Sequence, residues 1–384
     1  MLTDVTLPTD SLLGRPKIFF ENLIKVVQEN FSSTGRYTIY TNKIQDAIKI
    51  SINKSIGECK DPKCIKFPQK VFSQLIARNI ISIILGEANI NHMICDDEII
   101  NTFASLTSDI TRVLKFPPIL NFIHKSIQRQ FTINLIFERL SQIIEQREHE
   151  KNTLGDAWTP PIDILQTFVN FSTEDNSVDL QLLTDYIIEF IFISVQTTSD
   201  AIISILYEYG ARPEYWKELL EENEMISNEV IVGYLDFNNI DKMVKLDSFV
   251  KESIKYWMPC VGLQRKTISD HFTFSNGYQV PKDRNINLYI ANLHGTDQIG
   301  CKFDGFQYVG KDSPATKLGE EYIPFGRGRH ACPGRFFAIH QIKLIMYFII
   351  RKYKVTTMNR RIIKPISAGH FLLSPSDELI FENL

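Results

Sequence analysis

The segment Phe325-Gly-Arg-Gly-Arg-His-Ala-Cys-Pro-Gly-Arg335 concentrates more chemistry than any other stretch of this 384-residue chain. A helical pattern runs through 334–352, so Cys332 stands just ahead of a helix N-terminus. Free backbone N–H groups and the positive end of the macrodipole favour a thiolate there, which suits Cys332 to be a metal ligand or a nucleophile. Gly326, Gly328 and Gly334 let the backbone bend and come close to something flat and bulky. Arg327, Arg329, His330 and Arg335 supply positive charge that can neutralise acid groups on such a ligand. A cofactor bearing carboxylates and a thiolate-seeking metal meets all of these requirements.

Upstream of this segment, apolar residues recur every three or four positions and predict helices over 16–30, 41–56, 68–86, 96–114, 127–149, 161–170, 180–209, 213–222 and 241–257. After Pro259 the pattern changes. Strands are expected over 261–268, 272–274 and 278–280, with Ser275-Asn-Gly277 placed as a tight hairpin turn. Residues 295–322 are irregular and turn-rich, and short strands near 371–373 and 379–381 close the chain. An ordered coil of that length usually carries function. The expected architecture is mainly α with small β-sheets (α+β), as one domain over 1–384: a helical part over about 20–258, then a small sheet, the Cys332 loop and a last helix over 259–384.

Composition narrows the function. With 44% hydrophobic, 11% aromatic and 23% charged residues the chain is expected to fold around a sizeable core. Lys plus Arg is 42 against 45 for Asp plus Glu, a net charge of −3, which gives no electrostatic reason to expect a nucleic-acid partner. The six cysteines are too sparse for a secreted disulfide framework, and the first residues lack the basic and apolar regions of a signal peptide. The apolar runs 187–195 and 344–350 are short for a bilayer span and read as buried core helices. Cys59 and Cys64 have no second ligand pair at zinc spacing and read as two loop cysteines. No H-E-x-x-H, G-x-S-x-G or G-x-x-x-x-G-K-[S/T] motif occurs, which removes the commonest hydrolase and nucleotidase readings.

Phe325, Gly328, His330, Cys332 and Gly334 fill the pattern F-x-x-G-x-[R/H]-x-C-x-G, and in this the chain resembles the cytochrome P450 family of haem-thiolate monooxygenases. Such a match arises by accident in a chain of this composition on the order of one time in ten thousand. The resemblance implies haem b with Cys332 as the axial thiolate to iron, Phe325 against the sulfur side of the porphyrin, and His330 at a propionate. Arg265 then resembles the basic residue at a second propionate.

Two further segments carry the resemblance. Ile193-Ser-Val-Gln-Thr-Thr-Ser-Asp200 is similar to the family's oxygen-binding helix, with Thr197 where a hydroxyl assists proton delivery; Ser194 and Gln196 replace the usual small residue and acid. The residues taken alone fit equally well as core-helix hydroxyls bonding back to the previous turn. Lys251-Glu-Ser-Ile-Lys-Tyr-Trp-Met-Pro259 occupies the place of the family's E-x-x-R helix. Glu252 fits, Lys255 stands for the Arg, and Gln307 stands for the second Arg of the triad that braces the haem loop. Lysine lacks the planar two-pronged donor of arginine. Weaker matches are 211–216 and 276–281.

The resemblance runs from about residue 20 onward and has the look of fungal members, without their N-terminal anchor and first sheet strands. It makes the helix over 16–30 the one lying above the haem propionates, with Lys25 within its reach. The implied reaction inserts one oxygen atom from O₂ into a small apolar substrate, with electrons from NADPH-cytochrome P450 reductase. Two alternatives stand beside it: a catalytically impaired haem-binding remnant, and a haem-thiolate isomerase or dehydratase that uses no reductase. A full-length form is expected at the endoplasmic reticulum membrane, and this chain, without an anchor, in the cytoplasm.

Overall fold

The computed structural model describes residues 17–31, 34–85, 97–104, 122–174, 177–230, 233–257, 262–290, 294, 302–328, 331–358, 366–368, 371–373 and 377–384. Helices run over Lys17–Phe31 (α1), Thr34–Ser55 (α2), Pro68–Ile84 (α3), Phe122–Leu154 (α4), Ile164–Phe171 (α5), Leu180–Ala211 (α6), Trp216–Glu229 (α7), Phe237–Asp241 (α8), Val244–Tyr256 (α9) and Arg335–Lys352 (α10), and 97–104 is also helical. The expectation of helix over 105–114 lies outside the described residues.

The core is organised around α6. Its first turn is capped by Asp179, whose carboxylate accepts from the Leu182 N–H at 2.9 Å, and its apolar sides pack against α3, α4, α5, α9, α10 and the C-terminal sheet. By length and composition alone α6 could cross a membrane, but 61% of its most apolar window is buried inside the protein. Phe190, Ile191, Val195, Ile202 and Leu206 are almost wholly buried there, as befits a core helix.

Strands are short and antiparallel. Lys63–Ile65 (β1), Thr173–Glu174 (β2), Ser177–Val178 (β3), Gly262–Lys266 (β4), His271–Thr273 (β5), Gln279–Pro281 (β6), Asn285–Tyr289 (β7), Tyr353–Thr357 (β8), Ile366–Ala368 (β9), Phe371–Leu373 (β10) and Leu379–Asn383 (β11) form the ladders β1-β11-β8, β4-β7, β5-β6, β9-β10 and β2-β3. The expected hairpin at Ser275–Gly277 joins β5 to β6: Gly277 has φ +87°, and the Tyr278 N–H donates to Asn276 Oδ1 at 3.1 Å. Mainly helical structure with small sheets is thus the fold class.

Two expectations are corrected. Cys64 lies in β1, paired with Ile380, instead of a loop; Cys59 is buried, and the two are free thiols. The helix expected over 241–257 begins instead at Val244, divided from the short α8 by Lys242–Met243. The division has a tertiary cause. The buried Glu222 carboxylate, on α7, accepts from the backbone N–H groups of Lys245 at 2.7 Å and Leu246 at 2.9 Å, and so caps α9 from outside its own sequence.

Candidate active site

The loop before α10 folds back on itself. Gly326 and Gly328 take φ of +73° and +74°, a region closed to most side chains, and the Cys332 N–H then reaches the Phe325 carbonyl at 2.7 Å. Gly334 caps α10, and a Cβ there would sit 3.9 Å from Cys332 Sγ and 3.8 Å from Val27 Cγ1, so α1 packs beside the cysteine. The backbone N–H groups of Gly334 and Arg335 point at the sulfur. Burial nonetheless pushes the Cys332 thiol up, against those donors and the Arg335 charge. Cys332 would bind a metal as the thiolate, its proton being released to solvent.

Phe325 is half-buried against the core, and Gly328 has open space where a side chain would be. Arg329 and His330 lie outside the described residues, and the expected propionate contact of His330 with them. Arg265 is half-buried in β4, opposite Ile286 of β7, and Lys25 is exposed on α1.

Midway along α6 the burial is interrupted. Ile193 is 39% exposed and Thr197, one turn later, is also exposed, although their helix is the centre of the core. The two exposed positions lie one turn apart on the same side of the helix. Thr197 Oγ1 donates to the Ile193 carbonyl at 2.9 Å, so its hydroxyl bonds back along the helix. Gln196 donates to Asp200 Oδ2 at 3.0 Å, which puts a carboxylate one turn from the amide that stands at the acid position.

Glu252, Lys255 and Gln307 come together. Gln307 Nε2 donates to Glu252 Oε2, the Asp304 N–H reaches Glu252 Oε1 at 3.5 Å, and Lys255 Nζ lies 3.9 Å from Glu252. Burial pushes the Glu252 carboxyl up, against the pull of Lys255. The bracing arrangement therefore survives with an amide and a primary ammonium in place of two guanidinium groups.

Three side chains that sequence reasoning missed take part in holding the loop. His294, 4% exposed, accepts from the Ile323 N–H through Nε2 at 3.1 Å and reaches the Lys255 carbonyl through Nδ1 at 3.3 Å, which fixes the proton on Nδ1. Asp247 accepts from the Ala315 N–H at 2.8 Å, and Ser248 from the Tyr308 N–H at 3.1 Å. The available signal was the spacing 247, 248, 251, 252, 255, a single polar face on α9.

Burial holds His294 neutral, with its pKa pushed down to about 4. Stability from the neutral ring is complete above the ordinary imidazole range and is lost as pH falls from about 6.5 toward 4, by about 3 kcal/mol. His294→Gln keeps one donor and one acceptor without titrating. The difference in denaturant stability between wild type and this variant should shrink across that interval; a difference constant with pH would refute the assignment.

These features fit an iron porphyrin: a sulfur with two N–H donors at a helix N-terminus, a glycine-lined loop, and an exposed aliphatic and hydroxyl pair, Ile193 and Thr197, on the core helix. Comparison with known proteins agrees. The cytochrome P450 sequence profile matches residues 23–381. The cytochrome P450 monooxygenase janQ of Penicillium janthinellum is 28% identical over 310 residues, covering 72% of this chain and 58% of that protein. The monooxygenase AN1598 of Emericella nidulans is 29% identical over 227 residues, 56% and 42% of the two chains, and ltmQ of Epichloe festucae var. lolii is 31% identical over 225 residues, 55% and 40%. The matches thus span about half the length of these curated relatives. Among solved structures, a cyanobacterial CYP120A1 with retinoic acid bound superposes with a TM-score of 0.74 over 99% of this chain and 84% of the other, at 18% identity, a likeness of fold.

Proposed function

The chain belongs to the cytochrome P450 family, and from that premise we propose that it is a haem-thiolate monooxygenase acting on a small apolar substrate with electrons from a partner reductase. The observation that carries the reading is Cys332 Sγ, presented by a tight glycine turn at the N-terminus of α10 with two backbone N–H groups aimed at it. Haem, when bound, supplies the redox chemistry by which one atom of O₂ enters the substrate and the other leaves as water, consuming two electrons and two protons.

The chain's own residues divide the remaining work. Cys332 would hold the iron, its N–H donors fixing the direction of the sulfur lone pairs. Phe325 closes the loop over the sulfur side and keeps water away. Ile193 gives the substrate an apolar wall. Thr197 holds a proton on Oγ1, donated to the Ile193 carbonyl, on the exposed side of α6. Asp200, which accepts from the Gln196 amide, is the carboxylate nearest to Thr197 along the same helix.

The test uses the purified chain with haem, NADPH, a P450 reductase and a panel of apolar substrates. Wild type should form oxygenated product. Thr197→Ala should keep consuming NADPH while product per NADPH falls by about tenfold or more. Substrate conversion without reductase, unchanged in Thr197→Ala, would instead identify an isomerase or dehydratase.

A further inference from the structure

Lys251, the neighbour of Glu252 on α9, is 2% exposed, and no carboxylate directly contacts its ammonium among the described residues. Its direct partners are neutral groups, and the Asp247 carboxylate nearby favours its charge. Nζ donates to Ser313 Oγ at 2.7 Å and to the carbonyls of Ser313 at 3.0 Å and Pro314 at 3.4 Å. It also lies 4.3 Å from the Tyr308 ring centroid and 4.5 Å from that of Tyr322. Two aromatic faces and three oxygens stabilise a desolvated cation well, and they would gain little from a neutral side chain. Burial pushes Lys251 down to about 8, so at neutral pH it is still mostly a cation.

The contacts of this ammonium lie at both ends of the segment that leads into the cysteine loop. At one end are Ser313 and Pro314. The next residue, Ala315, donates to Asp247, and the one after, Thr316, accepts at its carbonyl from Arg335 Nε at 3.2 Å. Arg335 Nη1 then donates to the carbonyl of Cys332 itself at 3.0 Å. At the other end is Tyr322, whose carbonyl accepts from the Gly319 N–H and whose neighbour Ile323 accepts from the Gly326 N–H at 3.0 Å. Glu252 itself binds the earlier stretch 304–308.

We propose that Lys251 is a positioning residue for Cys332: it clamps both ends of residues 313–323, and Arg335 transmits that placement to the cysteine. The clamp adds to the bracing by Glu252, Lys255 and Gln307, one turn of the same helix away. The inference rests on Cys332 as the residue to be placed, and its first readout needs no cofactor.

The experiment measures iodoacetamide labelling of Cys332 in the full, cofactor-free chain by peptide mapping, with buried Cys59 as internal control. Lys251→Met should speed Cys332 labelling about tenfold and leave Cys59 unchanged, whereas Lys255→Met should change Cys332 by no more than about twofold. A general loss of stability would instead raise both cysteines together, and that outcome overturns the proposal, as does an unchanged Cys332 rate. Should Lys251→Met not fold, Ser313→Ala removes one acceptor, and a rate for Cys332 equal to wild type would then overturn it. In a second readout, reduced protein under carbon monoxide, Lys251→Met should lower the fraction with the strongly red-shifted Soret band at equal folded protein. Failure of wild type to take up haem would sink the monooxygenase reading and leave the labelling contrast standing.

Discussion

Cys332→Ser will fold, keep its place at the head of α10, and lose the strongly red-shifted Soret band of the reduced carbon monoxide complex. The hydroxyl fills nearly the same volume and can accept from the same Gly334 and Arg335 N–H groups, so the loop has no reason to open. What disappears is the soft, easily ionised sulfur. A serine hydroxyl stays protonated under conditions where a thiol on iron gives up its proton, so the electron-rich axial ligand cannot form. Oxygenated product with reductase and NADPH should fall below detection. A variant that kept the shifted band would show that another residue supplies the ligand, and would remove Cys332 from the site.

Glu252→Ala will cost about 3–5 kcal/mol of folding stability, the range for removing one partner of a buried pair. Glu252 is 1% exposed, and its carboxylate is the common acceptor for Lys255, the Gln307 amide and the Asp304 N–H. Removing it leaves the Gln307 amide, the Asp304 N–H, the Tyr308 hydroxyl and the Lys255 cation without their shared acceptor. Glu252→Gln separates charge from shape. It preserves an acceptor for Gln307 but offers Lys255 only a neutral oxygen, so its loss should be clearly smaller. Denaturant midpoints of the two variants measure the difference. Equal losses would show that charge carries the whole effect; no loss in either would show that the bracing cluster is dispensable.

The features legible in the sequence are those made by neighbours along the chain. The cysteine loop could be read because its demands are local: glycine where φ is positive, a cysteine within reach of unpaired N–H groups, and a helix directly after. The break in α6 could be read because Thr197, Ser199 and Ser204 satisfy their hydroxyls on the carbonyl one turn earlier. The turn at Asn276–Gly277 follows the same logic. Each leaves a mark at a spacing of four residues or fewer, and such spacings survive in a linear string.

Other features needed residues that the fold alone brings together. Cys64 belongs to a strand because β11, near the other end of the chain, offers it a ladder, and β1 is too short to show any alternation of its own. The start of α9 at Val244 is supported from outside its own sequence, because Glu222 of another helix satisfies its first N–H groups, a cap with no local signature. Lys251 reads in sequence as an ordinary helix lysine beside a glutamate. Only when residues 308–322 fold over α9 do two tyrosine rings and three oxygens enclose it. His294 and Gln307 find their partners the same way. The sequence by itself determined the chemistry of the site, because that chemistry is written in adjacent residues. The tertiary structure decided what holds the site in place, because enclosing a buried charge requires groups from separate segments, whose pairing leaves no periodic trace in one chain.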